Sequence, residues 1–149
     1  MWSSFERYWR LPPERKKLLC EALAALALAR LAMAFLPFRR IAAWLGTPGT
    51  ESAQRLTKEQ TLTAEAVGWA VGAVGHRVPW DGRCLAQALA ASGMLRRRGM
   101  EGTVSFGVRR GESAGFDAHA WLRIGSCIVT GGPAHEQFKA FTTFARKQA

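Results

Sequence analysis

The sequence has too few cysteines, at the wrong spacing, for a disulfide framework or a four-cysteine zinc site. Cys20, Cys84 and Cys127 are an odd number, and no two of them form a C-x-x-C pair. A chain without a disulfide framework is typical of a reducing compartment, so we expect a cytoplasmic protein. The phosphate-binding pattern G-x-x-x-x-G-K-[ST] is also absent, and we expect no nucleotide, other cofactor or metal in this chain.

Acidic residues are scarce as well. The chain has 11 Asp and Glu against 21 Lys and Arg, a net charge of +10. This surplus favours an acidic peptide, an anionic membrane surface or a nucleic acid as partner. Residues 1–40 carry 8 basic and 3 acidic side chains, and residues 41–149 carry 13 and 8, so no separate basic tail exists. Without an aromatic RNA-binding pattern beside the charge, we expect no nucleic acid.

The length limits the chain to one domain, or one domain with a short arm, since domains cluster near 100–150 residues. The 149 residues are 48% hydrophobic and 21% charged, as in ordinary globular proteins. The turn-rich segment 46–50 marks the best internal boundary. We therefore predict an N-terminal helical arm over residues 1–50 and a folded core over residues 51–149.

One apolar stretch, residues 18–38, bears on membrane contact. Glu21 and Arg30 interrupt it, and its many alanines make it less apolar than a typical spanning helix. Basic residues precede it at 15–17 and follow it at 39–40. We predict a buried or interfacial helix, and leave open whether its basic flanks contact a cytoplasmic membrane surface or an acidic partner protein.

Hydrophobic periodicity predicts an α+β fold. A further helix begins after Asp81, its expected N-cap, and ends before Gly99. Apolar and polar residues alternate after it, which predicts strands joined as antiparallel hairpins. The predicted helices cover residues 13–36, 41–45, 58–75 and the stretch after Asp81, and the predicted strands cover 103–110, 116–124 and 127–130.

Two residues in these elements could carry chemistry. Cys84 falls in the first turn of its helix, where unpaired backbone N–H groups favour the nucleophilic thiolate. His119 lies mid-strand on the more polar strand face, where a general base belongs if that face packs against the helix start. Papain-like and transglutaminase-like enzymes use this arrangement. An inert domain with a buried cysteine and a strand histidine is the alternative.

The sequence motifs around Cys84 and His119 resemble those of a known family. Arg83-Cys84-Leu85, the following helix, the strand ending in Gly107-Val108, and Ala118-His119-Ala120-Trp121 resemble the lasso peptide leader proteases, which are transglutaminase-like cysteine peptidases. The resemblance covers nearly the whole chain. It implies a papain/transglutaminase-like core, with a Cys-bearing helix on an antiparallel sheet that bears the His, behind an N-terminal helical arm.

The resemblance also implies a function. Cys84 would attack the bond between leader and core of a ribosomally made precursor, and His119 would act as general acid and base. The released core amine would then be closed to a macrolactam by a separate ATP-dependent lasso cyclase. The first 50 residues are too short for the family's leader-recognition domain, so a separate recognition protein is expected.

The third catalytic position departs from the family pattern. The family commonly has an Asp about a dozen residues beyond the histidine, which orients the imidazole; here that count reaches Thr130, Gly131 and Gly132. Asp117, Glu136 or a backbone carbonyl remain as alternatives.

The sequence also leaves more than one candidate donor for the oxyanion hole. The backbone N–H of Cys84 is the first expected donor, and Trp80 and Gln87 are candidates for the second. The alternative to an enzyme is a non-catalytic transglutaminase-like module that binds a peptide.

Overall fold

The computed structural model describes residues 2–52, 54–77, 84–111, 115–132 and 134–146, with side chains from residue 5 onward. The helices are α1 (Trp2–Trp9), α2 (Pro13–Phe35), α3 (Phe38–Leu45), α4 (Lys58–Gly75) and α5 (Cys84–Arg96), and the strands are β1 (Thr47–Pro48), β2 (Thr103–Arg110), β3 (Phe116–Ile124), β4 (Cys127–Thr130) and β5 (Lys139–Ala145). A short 3₁₀ helix, Ala134–Gln137, precedes β5.

The sheet is antiparallel throughout, with the strand order β1-β5-β2-β3-β4. The predicted hairpins are confirmed: Val104 pairs with Leu122 and Phe106 with Ala120, while β3 turns directly into β4. This mixture of helices and antiparallel strands confirms the predicted α+β class.

One face of the sheet packs against the helices. Val104, Leu122 and Ile124 belong to the same buried core as α5, in which small residues allow a close approach to the sheet. The buried alanines of α5 are Ala86, Ala88, Ala90 and Ala91.

The predicted N-terminal arm packs on this core. Ala22, Leu26 and Ala29 of α2 are buried among residues of α4 and α5. Beside them, Glu21 accepts hydrogen bonds from Arg98, at 2.7 and 2.9 Å. These contacts join residues from both sides of position 50 in one core. The predicted division of the chain at residue 50 stays a prediction.

Four elements were not predicted from the sequence: α1, β1, the 3₁₀ helix and β5. Strand β5 lies between β1 and β2, and its Phe144 pairs with Val104 about 40 residues earlier. Strand β1 ties the end of the arm to β5 through the pair Thr47 and Ala145. Thr57 and Gln60 close a capping box at the start of α4, which lies where it was predicted.

Helix α2 is long and apolar enough to cross a membrane by length and composition, with a mean hydropathy of 1.9 in its most apolar window. Only 17% of that window is buried inside the protein. Signal sequences and the core helices of soluble proteins share this length and composition, so these two properties alone do not show that α2 crosses a membrane.

Candidate active site

Cys84 is the first residue of α5, as the sequence predicts, and its thiol is half-buried. The first backbone N–H groups of a helix have no partner within the helix, and the positive end of the dipole lies at this position. Residues 78–83 lie outside the described residues. The expected N-cap Asp81 and the oxyanion candidate Trp80 therefore have no structural account.

His119 lies in the middle of β3 and is held by the main chain. Its Nε2 is 2.7 Å from the carbonyl oxygen of Gly131, the residue that follows β4. Because a carbonyl oxygen only accepts hydrogen bonds, Nε2 must donate and carry the proton. In the neutral ring Nδ1 is then the atom with a free lone pair. That atom is the one able to take a proton from a thiol.

Aromatic rings fix the plane of the imidazole. The ring of Phe138 stacks on His119 with centroids 4.9 Å apart, and that of Trp121 stacks at 6.0 Å. Gly107 lies opposite His119 on β2, where an added Cβ would come within 2.8 Å of Trp121 and 2.9 Å of Phe138. The missing side chain at Gly107 therefore leaves room for both rings.

Gly131 also lies where a side chain would not fit, close to Trp121. Its φ is +83°, in the left-handed region that favours glycine, and an added Cβ would lie 2.5 Å from the Cβ of Trp121. The backbone after β4 can therefore approach β3 closely enough to present a carbonyl to His119. The position about a dozen residues beyond the histidine does hold an acceptor, in the main chain instead of a carboxylate side chain.

The two carboxylates considered for this role have other surroundings. Asp117 Oδ2 lies 3.4 Å from Nε of Arg109, whose guanidinium also donates to Gln137. Glu136 is exposed and makes no hydrogen bond or ion pair among the described residues. Neither hydrogen-bonds His119 within the described part of the chain, and a role for either carboxylate stays a prediction.

Gln87, the other oxyanion candidate, lies one turn beyond Cys84 and is half-buried. Its amide packs against the last residue of α4, where a Cβ added to Gly75 would lie 2.7 Å from Nε2 of Gln87. A role of Gln87 in the oxyanion hole stays a prediction.

The relation of Cys84 to His119 is the central geometric fact. Leu122 and Ile124 share the helix-packed core with α5, and successive strand residues point to opposite faces, so His119 and Trp121 lie on the other face of β3. Among the described residues, Cys84 and His119 share no hydrogen bond. Catalysis by this pair would require Nδ1 of His119 to reach the Cys84 thiol, and the described residues, with His119 on the face of β3 turned away from α5, contain no such contact.

His135 is half-buried in the 3₁₀ helix, and the centre of its ring lies 6.0 Å from that of Trp121. Its Nδ1 and the hydroxyl of Thr130 are buried without a hydrogen-bond partner in the described chain. The described residues contain no group of three or more His, Cys, Asp or Glu that could hold a metal ion.

Comparison with known proteins identifies the family. Residues 25–144 match the profile of the transglutaminase-like superfamily. Searches of curated proteins and of solved structures returned no match. The matched segment covers most of the chain, from the middle of α2 to β5, and the chain belongs to the transglutaminase-like superfamily.

Proposed function

We propose that this member of the transglutaminase-like superfamily is a cysteine peptidase that removes the leader from a ribosomally made lasso peptide precursor. The observation that carries the proposal is the position of Cys84 at the first residue of α5 in a chain of this superfamily. The oriented imidazole of His119 on β3 supports it, because a general base needs a fixed tautomer. The proposal of a lasso peptide precursor as the substrate is based on the sequence motifs around these two residues.

The proposed reaction needs a rearrangement that brings Nδ1 of His119 from the outer face of β3 to the Cys84 thiol. The thiol then gives its proton to Nδ1, and the thiolate attacks the carbonyl carbon at the leader-core junction. The tetrahedral intermediate collapses as His119 returns the proton to the leaving amine, which frees the core. The leader remains as a thioester on Cys84. His119 then deprotonates a water that attacks this thioester, and the leader departs with a new carboxylate.

The decisive experiment replaces the nucleophile. Purified Cys84→Ala, precursor peptide and the leader-recognition protein are mixed, and leader removal is followed by mass spectrometry. We expect cleavage to disappear, with Cys20→Ala as the matched control that retains it, because Cys20 is exposed on α2. Cleavage by Cys84→Ala at the wild-type rate would refute the nucleophile assignment.

Thiol labelling gives an independent test. Burial, and then the nearby Glu65 carboxylate, raise the pKa of Cys127, so Cys127 should react slowly with iodoacetamide near neutral pH. Cys84 should react faster than the more exposed Cys20 if its helix position favours the thiolate. Equal labelling of Cys84 and Cys20 would count against an activated nucleophile.

The proposed partners are the precursor, a separate leader-recognition protein and the ATP-dependent lasso cyclase that closes the freed core. The surplus of +10 suits an acidic leader or partner. Precursor mixed with this chain alone should be cleaved much more slowly than in the presence of the recognition protein. Efficient cleavage without any added protein would rule out the need for that partner.

A non-catalytic peptide-binding module is the second candidate. The observation that favours it is the absence of a Cys84–His119 hydrogen bond among the described residues. A binding module would hold precursor with the same affinity when Cys84 is replaced by Ala, and would release no product from the wild-type chain. Burst formation of an acyl-enzyme detected by intact-protein mass would exclude it.

A further inference from the structure

The outer side of α2 is apolar and uncovered. Leu28, Leu31 and Phe35 are 67%, 53% and 80% exposed. At about 100° per residue, these three lie within about 60° of one another on the helix. Ala22 and Leu26, which are fully buried, lie on the opposite side. The helix therefore has two apolar sides, one against the core and one toward solvent.

Further exposed apolar residues lie on the helices that precede and follow α2 in the chain. Phe5 and Trp9 on α1 are 64% and 62% exposed, and Phe38 on α3 is 51% exposed. Of the thirteen exposed large hydrophobic residues in the described chain, nine lie between Phe5 and Trp44. This concentration in three consecutive helices differs from the single exposed hydrophobic residues scattered over ordinary proteins, which need no explanation.

Unpaired positive charge accompanies the apolar surface. Arg10, Lys17, Arg30, Arg39 and Arg40 are all exposed. Within the described chain none of these five makes an ion pair. They lie on the three helices that carry the apolar residues, or at the ends of those helices. Aromatic and aliphatic side chains beside uncompensated cations are typical of helices that lie in a lipid interface.

We propose that the outer surface of α1, α2 and α3 docks on an anionic phospholipid bilayer, with α2 lying in the plane of the interface. Spanning is excluded for the folded chain, because the inner side of α2 packs on α4 and α5. Leu28, Leu31 and Phe35 would enter the boundary between headgroups and acyl chains, while Arg39 and Arg40 contact lipid phosphates. This inference is independent of the proposed peptidase activity.

Charge argues against a second copy as the occupant. Pairing this surface with itself would bring Arg30, Arg39 and Arg40 of both copies together, whereas anionic lipid neutralises them. An acidic helix of another protein is the remaining competitor. It would fit an apolar groove of about 960 Å³ beside α2, with Arg40 and Arg97 among its lining residues. A bilayer is favoured because the exposed apolar residues extend beyond that groove to α1.

The test is cosedimentation of the full chain with vesicles. We expect binding to phosphatidylcholine vesicles that contain phosphatidylglycerol, weaker binding to pure phosphatidylcholine, and loss of binding at high salt. Arg39→Gln/Arg40→Gln should weaken binding about 25-fold, at about fivefold for each cation. Phe35→Ser should weaken it about tenfold or more, because the most exposed of these apolar side chains no longer enters the lipid.

Two matched controls separate docking from general effects. Arg55→Gln/Arg110→Gln removes the same charge from the other part of the chain, and Phe116→Ser removes an apolar residue that is 76% exposed, similar to Phe35. Both controls should bind vesicles like the wild type. Equal losses in test and control variants would overturn the proposal, and so would an absence of binding to anionic vesicles.

A probe on Cys20 tests the orientation. Cys20 is exposed on the outward side of α2, and a polarity-sensitive fluorophore there, in a Cys84→Ser/Cys127→Ser background, should shift to the blue with anionic vesicles. An unchanged spectrum in bound protein would refute docking through α2. A dimer by light scattering that Phe35→Ser dissociates, without vesicle binding, would instead assign the surface to self-association and overturn the proposal.

Discussion

Replacing Gly131 by alanine tests how the main chain positions His119. The carbonyl of Gly131 accepts the hydrogen bond from Nε2 of His119 at 2.7 Å. The substitution keeps this carbonyl and adds one methyl group. Any effect therefore comes from the backbone conformation and the close approach of Gly131 to Trp121, and not from loss of a polar group.

The expected cost has two parts. A non-glycine residue at φ +83° costs about 1–2 kcal/mol. The added Cβ would lie 2.5 Å from Cβ of Trp121 and 2.8 Å from the oxygen of Ala120, well inside van der Waals contact, so the chain after β4 must move away. Overpacking of this kind costs about 1–3 kcal/mol. Gly131→Ala should therefore destabilise the fold by about 2–5 kcal/mol and lengthen the bond to His119.

Urea denaturation against a matched control measures this. Gly49 has φ +75° and no atom within 4 Å of an added Cβ, so Gly49→Ala carries the conformational cost alone. The difference between the two variants isolates the overlap with Trp121. If Gly131→Ala costs no more than Gly49→Ala, the close approach of Gly131 to β3 is not what holds this backbone in place.

Three further outcomes follow from the same contacts. Nitrogen NMR of the neutral side chain of His119 should show a protonated Nε2 and an unprotonated Nδ1; the opposite tautomer would remove the hydrogen bond to the main chain. Arg96→Met should cost about 3 kcal/mol in urea denaturation, because Arg96 donates to two carbonyls at the end of α3; Arg97→Met, at a side chain 75% exposed, should cost under about 0.5 kcal/mol. The hydrogen bond from Arg98 lowers the pKa of Glu21, so the ionised carboxylate stabilises the fold above the ordinary glutamate pKa, and this contribution is lost as the pH falls through the lowered pKa. The wild type should therefore have a higher free energy of unfolding than Glu21→Gln at neutral pH and the same one in strong acid. A gap between the two free energies that persists in strong acid would contradict this. This gap should stay below about 1 kcal/mol, because the pair is partly exposed.

The local patterns between residues 84 and 130 were sufficient to predict the elements in that part of the chain. The alternation around Phe106 and Ala120 gave the hairpin, because a strand with one buried face must repeat every two residues. The position of Cys84 at a helix start followed from the helical spacing after it. Both signals lie within a few residues of the feature they predict.

Features that depend on distant parts of the chain were not predictable in this way. Strand β5 gains its place from pairing with β2, and its exposed Lys139, Ala140 and Phe141 do not alternate. The face on which His119 lies relative to α5 depends on which side of the sheet the helices cover, and this is decided by the whole core. The alternating strand pattern fixed the two faces of β3 but left that choice open.

The acceptor for His119 shows why residue types alone were insufficient at the third catalytic position. A carboxylate there has two effects: it fixes the tautomer, and it stabilises the imidazolium that forms during catalysis. The carbonyl of Gly131 provides the first through geometry, but as a neutral dipole it provides less of the second. A search for Asp or Glu misses an acceptor in the main chain, which is indicated instead by a glycine whose missing side chain lets the chain after β4 approach β3. The proposed thiolate-imidazolium pair in this chain must therefore rely more on the start of α5 than on a charged partner of His119.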